Sequence, residues 1–252
     1  MDREAVKRAF ASYTENYNAT DSKIKLKIDH TFRVADLCDR IADTVPLVNK
    51  DIAWLSGMLH DVGRFEQVKR YNTFSDSESV DHAAFGADLL FKDGLIYSIG
   101  TFDGSCKKIL EVAIRNHNRF RIEEGLSDEF RNYCNILRDA DKIDIFRVNT
   151  ETPLEEIYNV SSEELKTATV SETVKQGFME KRAIIREERK TPADILVSHI
   201  CLVYELVYPI SVRITWEQGY LEKLLEFQSD NQETNEWFEQ MRAVLLERNP
   251  QR

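Results

Sequence analysis

Apolar positions recur every three or four residues along most of the chain, and no stretch shows a clear two-residue alternation. That periodicity predicts helices nearly throughout. A first helix is expected over residues 3–17. The polar run that includes Asn18 and Asp21 separates it from a long helix in which His30, Val34, Leu37 and Ile41 step by four, three and four residues. Those four share one face, so His30 points inward. Pro46 interrupts the pattern, and Asn49-Lys50-Asp51 opens the helix expected to carry His60 and Asp61. The small residues Ala53, Ser56 and Gly57 lie one and two turns before His60 and allow a neighbouring helix to come close.

Residues 65–79 are rich in Ser, Asp and aromatic residues and are expected to form a loop, long enough to suggest a lid. Asp81-His82 then opens a helix with Phe85, Gly86, Leu89 and Leu90 on the side of His82. Leu110, Ala113, Ile114 and His117 form the next stripe, and Cys134, Leu137, Asp141 and Ile145 the one after it. The second half differs in character. Thr152-Pro153 and Thr191-Pro192 each resemble an N-cap followed by a first-turn proline, and Ser161 with Glu164 fits a capping box. Helices are expected at about 162–188, 191–207, 212–228 and 230–247, with ordinary apolar stripes and charged outer faces. No repeat or convincing linker interrupts them. The reading is therefore one all-α domain over 1–252, with a core at about 22–150 and a helical extension at about 151–252.

Composition narrows the function. With 42% hydrophobic residues in 252, the chain can bury a substantial core. A formal net charge of −10 opposes a broad nucleic-acid footprint or an anionic membrane surface, so neither a nucleic-acid polymer nor a membrane is expected as partner. The four cysteines are widely spaced, without a C-x-x-C pair, and no apolar signal segment follows Asp2-Arg3-Glu4. A reduced, cytoplasmic protein is expected. The most apolar run, residues 195–210, contains His199 and Glu205, is too short to span a bilayer, and is expected to be a buried core helix. Homo-oligomerisation is left open.

The chemistry concentrates in residues 30–141. Four of the five histidines, with Asp61 and Asp141, fall on inward stripes of consecutive helices. One histidine on an apolar face is more often a satisfied core residue. Six donors are a different case, because each would cost about 1–3 kcal/mol if buried and unpaired, whereas shared cations would satisfy them all. Mixed imidazole and carboxylate donors suit two divalent transition-metal ions, drawn from Fe, Mn, Co, Ni or Zn.

His30-Thr31-Phe32-Arg33-Val34, His60-Asp61-Val62-Gly63 and Ala140-Asp141-Lys142-Ile143-Asp144 occur in the order that the HD superfamily of metal-dependent hydrolases shows, and residues 25–147 resemble that family. The resemblance implies a bundle of five or more helices around a metal site, one ion being held by His30, His60, Asp61 and Asp141. His82 and His117 are similar to the extra ligands of the two-metal subgroup, which includes HD-GYP phosphodiesterases. They imply a second ion sharing Asp61. Asn116-His117 replaces the paired histidines of HD-GYP proteins, Arg64 replaces their lysine, and the Gly-Tyr-Pro element is absent, which speaks against a cyclic dinucleotide substrate.

Arg64 offers a bidentate contact to a phosphate or carboxylate. Arg33, Lys69, Arg70, Arg115, Arg119, Arg121 and Lys142 lie near the ligands in sequence. In an acidic protein this local basicity points to a small anionic, phosphorylated or nucleotide substrate, with Arg33, Arg64, Arg119 and Lys142 as candidate contacts. The expected activity is that of a metal-dependent phosphohydrolase using a two-metal-activated hydroxide, with Asp61 and Arg64 as the catalytic candidates. The alternative is an HD-type di-iron oxygenase resembling inositol oxygenase, in which the same six ligands hold two irons that activate O₂. A non-catalytic sensor built on the same bundle ranks third.

Overall fold

Small residues decide where the first long helices meet. A computed structural model describes residues 1–18, 20–153, 160–247 and 249. In it α2 (Ser22–Ala42) packs on α3 (Lys50–Leu59) so closely that a Cβ added at Gly57 would stand 2.6 Å from the Ala35 Cα. Only glycine allows that backbone contact. It is the close approach expected from the Ala53, Ser56 and Gly57 face.

The chain divides into two units, Met1–Asp141 and Lys142–Arg252. In the first, α1 (Arg3–Thr14) is capped by Asp2, whose side chain accepts from the Ala5 amide, and its Phe10 meets Phe32 and Phe65 edge to face at 5.7 and 5.9 Å. Then follow α4 (Val62–Tyr71), α5 (His82–Phe91), the single turn α6 (Ile96–Ile99), α7 (Gly104–Asn116) and α8 (Asp128–Glu151), of which the residues up to Asp141 belong to this unit. Trp54, Leu55, Met58, Leu59, Phe65, Leu90, Leu110 and Ile114 are buried and build the core of this unit.

The expected loop at 65–79 is corrected. Residues 62–71 form α4, and the chain leaves the helix only at Asn72, in the left-handed conformation (φ 52°). A short 3₁₀ turn follows at Asp76–Glu78. Phe65 and Val68 bury one helical face, and Gln67 is fully buried beside them. The expected helix through His60 and Asp61 is corrected as well: the chain bends there, with Asp61 at φ −105° and ψ 15° between α3 and α4.

In the second unit the stripes are real but the helices are shorter than expected. The stretch 162–188 is α9 (Ser162–Thr167) and α10 (Glu172–Met179), followed by a 3₁₀ turn at Arg186–Glu188. Ser161 and Glu164 do form the capping box. A helix starting at Pro153 would run into 154–159, outside the described residues. The apolar run 195–210 is not one helix: α11 (Pro192–Ile200) passes into a 3₁₀ segment (Cys201–Glu205), and Tyr208 is extended (φ −95°, ψ 138°) before Pro209. A proline disfavours helix in the residue before it. Gly219, at φ 71°, separates α12 (Pro209–Gln218) from α13 (Tyr220–Leu225), and α14 (Gln232–Leu246) matches its expected span. Phe178, Val197, Ile200, Leu225, Phe238 and Met241 are central in this unit. Among the described residues there is no strand, and no helix is long and apolar enough to cross a membrane.

Candidate metal centre

Five stretches of the first unit deliver the six expected donors. His30 comes from the middle of α2, His60 and Asp61 from the bend between α3 and α4, His82 from the first residue of α5, His117 from the C-cap of α7, and Asp141 from α8. The bend depends on a glycine. A Cβ at Gly63 would lie 2.2 Å from the His82 carbonyl oxygen, so the start of α4 can rest against the start of α5 only without a side chain there. That contact brings His82 beside Asp61.

The geometry is two-sided. Asp61 is almost wholly buried, and its Oδ2 is 3.6 Å from His30 Nε2 and 3.4 Å from His60 Nε2. Its Oδ1 is 3.4 Å from His82 Nε2 and 3.7 Å from His117 Nε2. Asp141 Oδ1 joins the first pair, at 3.1 Å from His30 and 3.9 Å from His60. Each Asp61 oxygen also faces a fixed cation: Lys27 Nζ is 2.7 Å from Oδ2, and Arg64 Nε is 3.8 Å from Oδ1.

The outer nitrogens of three rings set their tautomers. His60 Nδ1 donates to the Gly57 carbonyl and His117 Nδ1 to the Ile114 carbonyl, both at 2.7 Å, while His82 Nδ1 donates to Asp76 Oδ2 at 2.6 Å. A carbonyl only accepts, so those protons sit on Nδ1 and the Nε2 lone pairs face inward. The Nε2 atoms of His82 and His117 approach to 3.0 Å, and those of His30 and His60 to 3.3 Å. Burial foremost, then the nearby Arg64 charge, pushes His82 down to about 4, and burial lowers His60 as well. Imidazoles whose Nε2 atoms converge around a shared carboxylate are a donor set that suits divalent transition metals. The sets His30, His60, Asp61 and Asp61, His82, His117 each offer ligand atoms within 4.8 Å of one another.

The carboxylates behave accordingly. Burial alone would raise Asp61, but the Lys27 ammonium first, then His60 and His117, hold it well below the usual carboxylate range. Burial works the same way on Asp141 and is outweighed by His30, so that carboxyl is also lowered.

The segment from Asn72 to Asp81 is tied down beside the cluster. Arg64 Nη1 donates to the Phe74 carbonyl at 2.6 Å and to Asp76 Oδ1 at 2.8 Å, and Gln67 Nε2 donates to Asp76, Ser79 and the Val80 carbonyl. Asp76 therefore links Arg64 to His82. With Tyr71 and Phe74, Asp76 is a candidate from the sequence for gating the site, but nothing there announces its bond to His82. Lys27 was likewise not a candidate; its one signal is a place one turn before His30. Arg138, also outside the expected set, is buried and donates to the carbonyls of Asn116, His117, Arg119 and Phe120, which fixes the chain after α7.

The basic candidates separate. Arg33 is half-buried on α2. Arg119 is largely exposed and lies 3.5 Å from Glu123, and Arg115 is bound to Asp88 and Glu111. Lys142 belongs to the second unit, buried and 3.8 Å from Glu205. A cavity of about 390 Å³ is lined by Val6, Asp51, Ile52, Phe102 and Asp103 among others, and by none of the six donors.

Residues 28–145 match the family model described as HD domain. The match supports an HD domain in that stretch, which is just under half of the chain. All six donors fall within the matched residues, and Lys27 lies one position before them. Comparison with curated proteins and with solved structures found no match. HD domains bind divalent metals and belong to a superfamily of metal-dependent hydrolases, and the donor chemistry here fits that role.

Proposed function

We propose that this HD protein is a phosphohydrolase that holds two divalent transition-metal ions and acts on a small phosphorylated or nucleotide substrate. One observation carries the reading: Asp61 presents one oxygen to each of two pairs of inward-facing imidazoles, and within each pair the Nε2 atoms approach to 3.3 or 3.0 Å. His30, His60, Asp61 and Asp141 would hold one ion, and Asp61, His82 and His117 the other. Ions bound there supply Lewis acidity toward phosphoryl oxygens and lower the pKa of a coordinated water toward neutrality.

The protein's own groups prepare that chemistry. The Gly57 and Ile114 carbonyls lock the rings of His60 and His117, and Asp76 does the same for His82. Partners of this kind orient ligands and raise their basicity. Arg64 holds Asp76 and the Phe74 backbone while keeping its charge beside Asp61. Cationic groups on both sides of Asp61 favour an anionic substrate over a neutral one.

The test is a panel of phosphomonoesters, phosphodiesters and nucleotides offered to protein loaded with Mn, Co or Ni. Hydrolysis that disappears in Asp61→Ala is expected. A metal-loaded protein inert across the panel would overturn the reading, and substrate-dependent O₂ uptake by the iron-loaded form would replace it with an oxygenase.

A further inference from the structure

Lys27 stands where a metal ligand's lone pair would be used. It lies on α2, one turn before His30, so both side chains leave the same face. Its Nζ is 2.7 Å from Asp61 Oδ2, the oxygen that His30 and His60 also face. The side chain is only 18% exposed and that of Asp61 only 3%. A divalent cation on the His30 and His60 side needs this same oxygen. An ammonium at hydrogen-bond distance from it both occupies a lone pair and repels the incoming charge. Oδ2 has a second lone pair, but an ammonium and a divalent ion held on the same oxygen repel each other, so metal entry favours the lysine's release.

A displaced ammonium has somewhere to go. Lys27 Nζ is 5.4 Å from the centroid of the Phe74 ring, and Arg64 Cζ is 5.8 Å from the same ring. Phe74 is itself anchored through its carbonyl to Arg64. A lysine that swings from Asp61 toward this ring keeps a favourable aromatic face and stays tethered over the metal centre. With Asp61 neutralised by metal, the partner left for that charge is an anion arriving at the site.

Resting on the two-metal reading above, we infer that Lys27 is an exchange cation: it holds Asp61 before metal enters, yields Oδ2 to the ion, and then binds the anionic group of the substrate. Residue 27 lies one position before the stretch matched by the family model.

The experiment compares wild type with Lys27→Met, which keeps the length and removes the charge, and Lys27→Gln, which keeps a hydrogen-bond donor for Asp61 should the methionine variant fold poorly. Metal-free protein is titrated with Mn²⁺ by calorimetry and by the loss of the free Mn²⁺ EPR signal; the Mn-loaded protein is then titrated with inorganic phosphate. Loss of the competing charge is expected to tighten the first Mn²⁺ by about tenfold or more and to weaken phosphate by a similar factor. Unchanged or weaker Mn²⁺ binding in both variants, or unchanged phosphate binding, overturns the exchange while leaving the two-metal reading intact. Wild type that binds no Mn²⁺ at all overturns both.

Discussion

Gly63→Ala is the sharpest structural perturbation of the centre because it adds one methyl group at a point of backbone contact. The new Cβ would lie 2.2 Å from the His82 carbonyl oxygen and 2.7 Å from the Gly86 amide nitrogen. Neither atom is the end of a flexible side chain. Restoring an ordinary contact of 3.4 Å requires a displacement of about 1.2 Å between the starts of α4 and α5. Overpacking of this kind costs about 1–3 kcal/mol, which corresponds to a fall in melting temperature on the order of 2–10 °C for a domain of this size. His82 is the first residue of α5, so its ring moves with that carbonyl, away from His117 at 3.0 Å and Asp61 at 3.4 Å. Metal ligands tolerate only about 0.2 Å. Gly63→Ala should therefore keep the ion of the His30 side and lose the one of the His82 side, going from two to one by elemental analysis. Gly86→Ala is the milder control, since its Cβ would meet Gly63 at 2.9 and 3.3 Å. A Gly63→Ala protein with wild-type melting temperature and both ions would refute the reasoning.

Three further outcomes follow from other contacts. Asp76→Ala removes the acceptor of His82 Nδ1, and Mn²⁺ affinity at the second position should fall by roughly 10–100-fold in a calorimetric titration, the usual effect of losing such a partner. In metal-free protein the folded-state pKa of His82, about 4, lies below the unfolded value of about 6.5. The folded state then binds fewer protons between those limits, so stability is full above pH 6.5 and falls as the pH drops toward 4, by up to roughly 3 kcal/mol for this group. Urea midpoints in chelator should show that slope, and His82→Gln should flatten it; the lowered carboxylates Asp61, Asp76 and Asp141 act below that window. In the second unit, Asp194 is buried and accepts from the amides of Ser171, Lys190 and Thr191 at 2.8, 2.8 and 3.1 Å, so Asp194→Ala strands three donors and should cost several kcal/mol by chemical denaturation.

The parts legible in the sequence are those that a helical period records directly. His30, Val34, Leu37 and Ile41 share a face because 3.6 residues make a turn, and Gly57 is bare because α2 passes over it at backbone distance. The six donors stand out because polar groups interrupt otherwise apolar stripes. Helix α4 was hidden for the opposite reason: one of its buried positions is Gln67, whose amide is satisfied by Asp76, Ser79 and Val80, and hydropathy counts it as surface. Gly63 has no periodic signal of its own; its lack of a Cβ serves the contact with α5. Lys27 lies in a run with Lys23 and Lys25 and has no pattern of its own; only the fold places its ammonium against Asp61. The second unit kept its stripes but not its helix lengths, because Gly219 and Pro209 act on backbone geometry at single positions.

Anomalous diffraction from crystals of the manganese- or iron-loaded protein tests the two-sided centre most directly. Two peaks are expected in each chain, one among His30, His60, Asp61 and Asp141, the other among Asp61, His82 and His117. A single peak, or none within reach of Asp61, would contradict it.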